Sequence, residues 1–391
     1  MKKRLKIPKN VLLLGLISLF TDLSSQMVFP LLPLFLTTIL HTGATAVGII
    51  EGAAETTASL LKVISGYWSD KIKKRKPFVL AGYGLSTITK PLFAIAKTWP
   101  FVLFARIIER TGKGMRTAPR DAIVAESTPK QIRGKSYGIQ RAFDGLGSVL
   151  GALGAIILLP LLGYRKLFLF AFIPGIIAVL LIPLIKEAKV KKKAKEKISI
   201  KKLPNNLKFF ITVSTIFTIG QFGYAFLLLK AKKTGLTDVS SIILYLIFFI
   251  VFTIASTPAG MISDKIGRKN TITMGYIIFA ITSIMLIYTK NTTMLVLSFI
   301  LYGIFYAFVD GTQRAMVTDL APKHLKATSL GAYHTMIGIA ALPAGIILGT
   351  IWDKTNPETM FVYALTISII SIALLQMIKT KAKNIKTSKT Y

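Results

Sequence analysis

The sequence predicts an all-α membrane protein, with twelve transmembrane helices in two pseudo-symmetric six-helix halves. Three observations predict it. Only 17% of the 391 residues are charged while 52% are hydrophobic, against about 25% charged in soluble domains. The apolar residues gather into runs of about 20 or more, the length that carries a helix across a bilayer core. A short polar motif also occurs twice, once in each half of the chain.

The runs at 11–40, 44–69, 77–97, 99–120, 136–162 and 164–185 supply six spans. Those at 208–230, 239–263, 271–289, 293–316, 327–351 and 359–378 supply six more. Backbone polar groups cannot go unpaired in lipid, so each run must be a helix or a barrel strand. Their length and the lack of strict alternation select helices. The organisation is then a short N-terminal segment (1–10), a bundle (11–185), a lysine-rich linker (186–207), a second bundle (208–378) and a basic tail (379–391). The basic N-terminus runs into Val11–Leu14 with no small-residue cleavage site after a short apolar core, so the first span reads as retained.

Lysine and arginine concentrate in the loops of one side. The positive-inside rule puts that side, and both termini, in the cytoplasm of a cell (inner) membrane. The same placement removes nucleic acid as a partner despite a net charge of +34, because the charge lies in short loops between apolar spans. The linker is a spacer between bundles, with lysines suited to anionic lipid. There is no cysteine, and the three histidines (His41, His324 and His334) are scattered. Neither a metal site nor a thiol nucleophile is expected. With no activated nucleophile beside any carboxylate, enzyme activity is not expected, and no cofactor is implied. The expected partners are the bilayer and a small-molecule solute, with the chain as a monomer.

Self-similarity is the most informative feature. Gly66-Tyr-Trp-Ser-Asp70-Lys71 recurs as Gly260-Met-Ile-Ser-Asp264-Lys265. Glu126-Ser-Thr-Pro129-Lys130 matches Asp319-Leu-Ala-Pro322-Lys323, and Ser136-Tyr-Gly138 matches Ser329-Leu-Gly331, at the same offset to within one position. The halves are therefore copies in parallel orientation. The run Gly260 to Lys269, with Asp264, Lys265, Gly267 and Arg268 at its fixed positions, resembles the signature loop of the major facilitator superfamily. The first copy, with Arg75 near its end, carries Lys73 where the later glycine would stand. The resemblance implies that superfamily's fold and a secondary transporter working by alternating access. It also implies that the loop acids latch the halves together on the cytoplasmic side. Physically, Asp70 and Asp264 stand at C-terminal helix ends, where the dipole disfavours an anion. Compensation is expected from Lys71 and Arg75, from Lys265 and Arg268, or from a helix N-terminus of the other half.

Ionisable residues within spans are costly and mark function by default. Asp22 lies near mid-membrane on span 1. Glu51, Glu55 and Lys62 share one face of span 2. Arg106, Glu109, Arg110 and Lys113 share a face of span 4. Lys90 precedes Pro91 in span 3, and Arg141 and Asp144 sit in span 5. One reading is a self-neutralising network that packs the spans; the other is a cavity lining in which an acid changes protonation during transport. Asp22 leads the coupling residues because no basic residue neighbours it in sequence, with Glu51 and Glu55 next. Arg106, Glu109, Arg110, Lys62, Lys90, Asp144, Gln221, Asp310 and Arg314 are cavity residues on this reading. The run Arg106 to Gly114 resembles the span-4 motif of proton-coupled exporters, with Glu109 and Arg110 departing from it. Gly147, Gly151 and Gly154 on span 5 suit close helix approach. Phe222, Tyr224, Tyr302, Phe305 and Tyr306 are aromatic wall residues for the second half.

The expectation is a secondary active transporter of a small organic solute, proton-coupled and directed to efflux. Import of an organic anion held by Arg106, Arg110 or Lys90 is the alternative, and a non-transporting sensor on the same scaffold is a third reading. No ATP-binding motif is present, so uphill movement must draw on an ion gradient.

Overall fold

A computed structural model describes residues 7–72, 74–186 and 203–378. Most of the linker, the tail and Lys73 therefore lie outside the described residues. Fourteen α-helices build the twelve spans. The first span is α1 (Lys9–Gln26) and α2 (Leu32–Thr38), followed by α3 (Ala44–Ile72), α4 (Lys76–Ile95) and α5 (Trp99–Ser127). The long α6 (Arg133–Phe170) holds the fifth span and opens the sixth, which α7 (Phe172–Leu181) completes. The second half runs α8 (Asn205–Gly220) and α9 (Tyr224–Lys233), α10 (Asp238–Ile266), α11 (Arg268–Tyr288), α12 (Thr292–Leu320), α13 (Lys326–Lys354) and α14 (Pro357–Gln376).

Among the described residues, nine helical stretches are long and apolar enough to cross a membrane. One of them, Arg133–Leu184, is two spans folded at Gly163, whose φ of 67° suits only glycine. The helices α3 and α5 are long enough but too polar. The molecule is inside-out relative to a soluble domain. Leu161, Leu180, Ile254 and Ile157 stand more than half exposed on its outer face, while Arg106, Glu109 and Lys90 are buried. An apolar exterior of that extent calls for lipid.

Two of the expected unbroken runs are interrupted. Pro30 and Pro33 end α1 and force a short 3-10 turn, Phe29–Leu31, before α2. At the matching place in the second half, α8 stops at Gly220 and α9 starts after Gly223. The Tyr302 hydroxyl donates to the freed Phe222 carbonyl at 2.5 Å. Both breaks lie beside the plane where the halves meet.

Within the first half, α1 packs on α6 and α7, while α5 packs on α3 and α4. Gly147 and Gly151 of α6 admit the backbone of α1 at Leu19 and Leu23, which accounts for the small-residue stripe. The halves meet chiefly along α3 and α13. There Gly48 and Gly345 touch backbone to backbone, and Gly52 lies on Ala341 and Leu342. A Cβ at Gly48 or Gly345 would overlap the facing carbonyl. The symmetry-related pair, α6 with α10, is a looser contact.

Candidate functional site

The site grows from one face of α5. Arg106 is completely buried and is held by two carboxylates. It donates to both oxygens of Glu51 on α3 at 3.1 Å and to Glu109, one turn on, at 3.1 Å. Arg110 approaches the same Glu109 at 3.5 Å. The Phe29 ring, set in the break of the first span, serves as a platform. The Arg106 guanidinium lies 3.9 Å from its centroid, the Lys90 ammonium 4.1 Å and the Arg110 guanidinium 5.5 Å. Lys90 also donates to Ser25 at 3.3 Å. Burying such charges costs several kcal/mol each unless they are paired, so this network is held by mutual neutralisation and by ring contacts.

One and a half to four turns further along α5, a second cluster forms around the fifth span. Arg120 donates to Asp121 and Ser18 at 3.0 Å and stands 3.8 Å from Asp144. Gln140 donates to Ser18 at 2.7 Å and to Asp144 at 3.2 Å, and Arg141 reaches Asp144 at 3.4 Å. Arg116 bonds Ser86 and covers the Tyr83 ring at 4.5 Å. Asp22 faces Asp144, Lys113, Arg116 and Arg120, and among the described residues it makes no direct ion pair. Glu55 accepts from Ser59 at 3.3 Å. With Lys62 it faces His334 and Arg314 of the other half at longer range.

The second half presents rings. Tyr245 of α10 donates to Gln26 of α1 at 2.9 Å, a hydrogen bond between the halves beside the Phe29 turn. It packs against Tyr224 at 5.0 Å and Phe248 at 5.8 Å, and Phe248 reaches Tyr302 and Tyr306. The aromatic expectation needs correction here. Phe222, Tyr302 and Phe305 are fully buried core residues of their own half, whereas Tyr224 and Tyr306 are only partly covered. Asp310 and Arg314 pair one turn apart on α12, and Gln221 caps α8 at the break.

The two signature loops are nearly superimposable in chemistry. Arg75 binds Asp70 at 2.7 Å and Glu126 at 2.8 Å and donates to Ser69 at 3.2 Å. Arg268 binds Asp264 at 2.8 Å and Asp319 at 3.3 Å and donates to Ser263 at 2.9 Å. Lys76 donates to the Pro183 and Ile185 carbonyls, and Lys269 to those of Gln376 and Ile378, at 2.7 and 3.1 Å in both cases. Compensation for the loop acids thus comes from arginine within the same half rather than from Lys71 or Lys265. Among the described residues, the ion pairs of both acids lie within their own half. Burial opposes the charge on Arg75, but hydrogen bonds to Glu126 and Asp70 prevail and hold its pKa above the ordinary guanidinium value. That stabilisation is present below the unfolded pKa and is lost only in strong alkali. Gly267 turns with φ of 92°. The first copy has no glycine at that place, and its arginine stands one residue further from the aspartate in sequence.

On the face opposite these loops, an acid does bridge the halves. Asp353, near the end of α13, accepts from the Ala44 and Thr45 amides at 2.8 and 2.7 Å and from the Thr45 hydroxyl at 2.6 Å. It caps the N-terminus of α3, where the helix dipole favours an anion. Nearer the middle of the membrane, Thr56 donates to the Gly338 carbonyl at 2.6 Å.

Sequence reasoning missed several of these residues. Arg116 and Arg120 fall inside the expected fourth span, 99–120, and their three- and four-residue spacing continues the face of Arg106, Arg110 and Lys113 on an α5 that runs to Ser127. The signal for the two breaks was available in Pro30, Pro33, Gly220 and Gly223, since interrupted helices at matching positions of two repeats point to a transporter's binding site. Nothing local to Asp353 announces its partners on α3. Among the described residues no cluster of metal-ligating side chains occurs.

The Major Facilitator Superfamily model matches residues 14–345 and, in a second match, 208–388. The chain is 39% identical over 383 residues to an uncharacterized MFS-type transporter of Methanocaldococcus jannaschii, covering 95% of this chain and 96% of that one. A shorter stretch of 118 residues is 30% identical to the quinolone resistance protein NorA of Staphylococcus aureus, covering 30% and 29% of the two chains. Among solved structures, a mutant of the nucleoside transporter NupG superposes with a TM-score of 0.80 at 17% identity, covering 95% of this chain and all of that one. A bacterial homolog of the lysosomal transporter Spinster, in an inward-facing and unoccupied conformation, gives 0.75 at 14% identity, over 94% and 95%. With a repeated six-span bundle, the signature loop and these matches, the chain belongs to the Major Facilitator Superfamily.

Proposed function

We propose that this chain is a proton-coupled secondary transporter that exports a small organic solute by alternating access across the cell membrane, with both termini in the cytoplasm. The carrying observation is the pairing of a buried charge network with a one-sided seal. The network sits at the breaks of spans 1 and 7. The halves are joined on the far face through Asp353 and the Gly48–Gly345 contact, while the loop acids stay within their own halves. On this reading the described conformation is open to the cytoplasm. Uptake of solute from that side, closure of the signature loops and release of the Asp353 clasp complete the cycle. The stretch similar to a quinolone-resistance protein and the exporter-like run from Arg106 to Gly114 support the direction.

Because the chain has no cysteine, labels can be placed at will. One pair, Ile39→Cys with Lys354→Cys, would report on the far face. Another, Lys135→Cys with Lys326→Cys, would report on the loop face. Alternating access requires the two distances to change in opposite senses when pH or solute is changed in liposomes. Fixed distances at both ends under every condition would refute it.

Asp22 is the proposed coupling acid, since it faces Arg116, Arg120 and Lys113 and, among the described residues, makes no direct ion pair. Replacing it with Asn should leave protein yield intact and abolish the dependence of solute flux on an imposed pH gradient. A gradient dependence equal to that of the unaltered protein would remove Asp22 from the role.

A further inference from the structure

The transporter reading leaves the cargo open, and the charged cluster narrows it. Around Phe29, three cations (Lys90, Arg106 and Arg110) meet two carboxylates (Glu51 and Glu109). Arg106 absorbs both carboxylates at 3.1 Å. Among the described residues, Arg110 receives only the shared oxygen of Glu109 at 3.5 Å, and its buried Nε has no hydrogen-bond partner. It is nevertheless 91% buried, at 9% exposure. A ring face softens the cost of an unneutralised cation but does not cancel its charge, and a buried charge without a counter-ion is strongly destabilising. Arg110 is therefore left without a counter-ion of its own.

The surroundings give the shape of what supplies it. Opposite the cluster, Gln26 bonds Tyr245, and behind Tyr245 lie Tyr224 and Phe248. The charged lobe belongs to one half and the aromatic lobe to the other. A ligand spanning them needs an anionic head for the planar donor fork of Arg110 and a flat apolar body for the rings. Building on the alternating-access reading, we infer that the transported solute is an amphipathic organic anion. Its carboxylate-like group pairs with Arg110 beside Phe29, and its body lies against Tyr245 and Tyr224. Such a ligand would touch both halves at once and so bind differently in each conformation, as coupling requires.

The test uses three probes of one shape and different charge: benzoate, benzamide and benzamidine. Each is titrated against the purified full-length protein at constant ionic strength, with thermal unfolding as the readout. Benzoate should raise the unfolding temperature in a dose-dependent way, with benzamide much weaker and benzamidine without effect. Arg110→Gln should weaken benzoate by about tenfold or more, the worth of one charge-assisted hydrogen bond, and Arg110→Lys should retain part of the response. The unfolding temperature of each variant without probe shows that it is folded, and Lys90→Met provides a second variant at the same cluster. The inference is overturned by stabilisation from benzamidine or benzamide equal to that from benzoate, by silence towards all three, or by a benzoate response that survives Arg110→Gln. The label pairs separate the failures: distances that still alternate with pH while benzoate has no effect remove the anion and keep the transporter, and static distances remove both.

Discussion

The two halves share a frame and differ in what fills it. Helix α5 and its counterpart α12 each have 29 residues, as do α3 and α10, so positions can be paired one for one. Where α5 carries Arg106, Glu109, Arg110 and Lys113, α12 carries Phe299, Tyr302, Gly303 and Tyr306. Glu51 of α3 corresponds to Tyr245 of α10. The corner arginines Arg75 and Arg268, by contrast, keep carboxylate partners at corresponding positions. The geometry that shapes the bundle is thus held in common by both copies, while the positions that carry the charge network in one half carry packed rings in the other. On the proposed transporter reading, such a division would let one half respond to charge and the other to shape.

The comparison breaks most visibly at Arg106. Replacement by Gln leaves Glu109 buried beside an incomplete partner set, and a loss of about 3–5 kcal/mol is expected. Its counterpart change, Phe299→Leu, should cost about 1 kcal/mol. Chemical or thermal unfolding of the two variants checks the difference, and equal losses would mean that the charged lobe is no more demanding than the aromatic one. A smaller effect is expected at the seal. Asp353→Asn removes a charge-assisted contact worth about 1–2 kcal/mol, which should lengthen the Ile39–Lys354 label distance in part of the population and leave total stability nearly unchanged. An unaltered distance distribution would show that the glycine contacts suffice without the carboxylate. The smallest effect sharpens the comparison at the corners. Arg75 is buried and Arg268 partly exposed, with side chains 7% and 26% accessible. Arg75→Lys should therefore cost about 1 kcal/mol, since one ammonium cannot serve both carboxylates as the guanidinium does, and Arg268→Lys less than about 0.5 kcal/mol. The reverse order in unfolding measurements would contradict the burial argument.

Much of this architecture was legible in the chain. The Gly66 and Gly260 motifs revealed the duplication, and the in-span charges on spans 2 and 4 do converge, because three- and four-residue spacings put them on one helix face. What sequence could not supply was reach between distant elements. Phe29 is one apolar residue among many until the Pro30 break turns it under Lys90 and Arg106. Asp353 sits at the end of a span, and only the closure of α3 on α13 gives it the amides of Ala44 and Thr45. Aromatic identity was misleading for the opposite reason: Phe222, Tyr302 and Phe305 suit a cavity wall or a core equally well by composition, and their packing against one another makes them core.

The seam between α3 and α13 has a mechanical consequence. Gly48, Gly52, Gly345 and Gly349 leave its surface almost without protruding side chains, so the two helices face each other as smooth rods rather than as interlocked gears. Parting smooth rods requires no side chain to leave one rotamer well for another, and no knob to climb out of a hole. Resistance to separation is then concentrated in the Asp353 clasp at one end and the Thr56–Gly338 hydrogen bond further in, so the seam opens like a zip from its fastened tip towards the middle of the membrane, with low friction between those two catches.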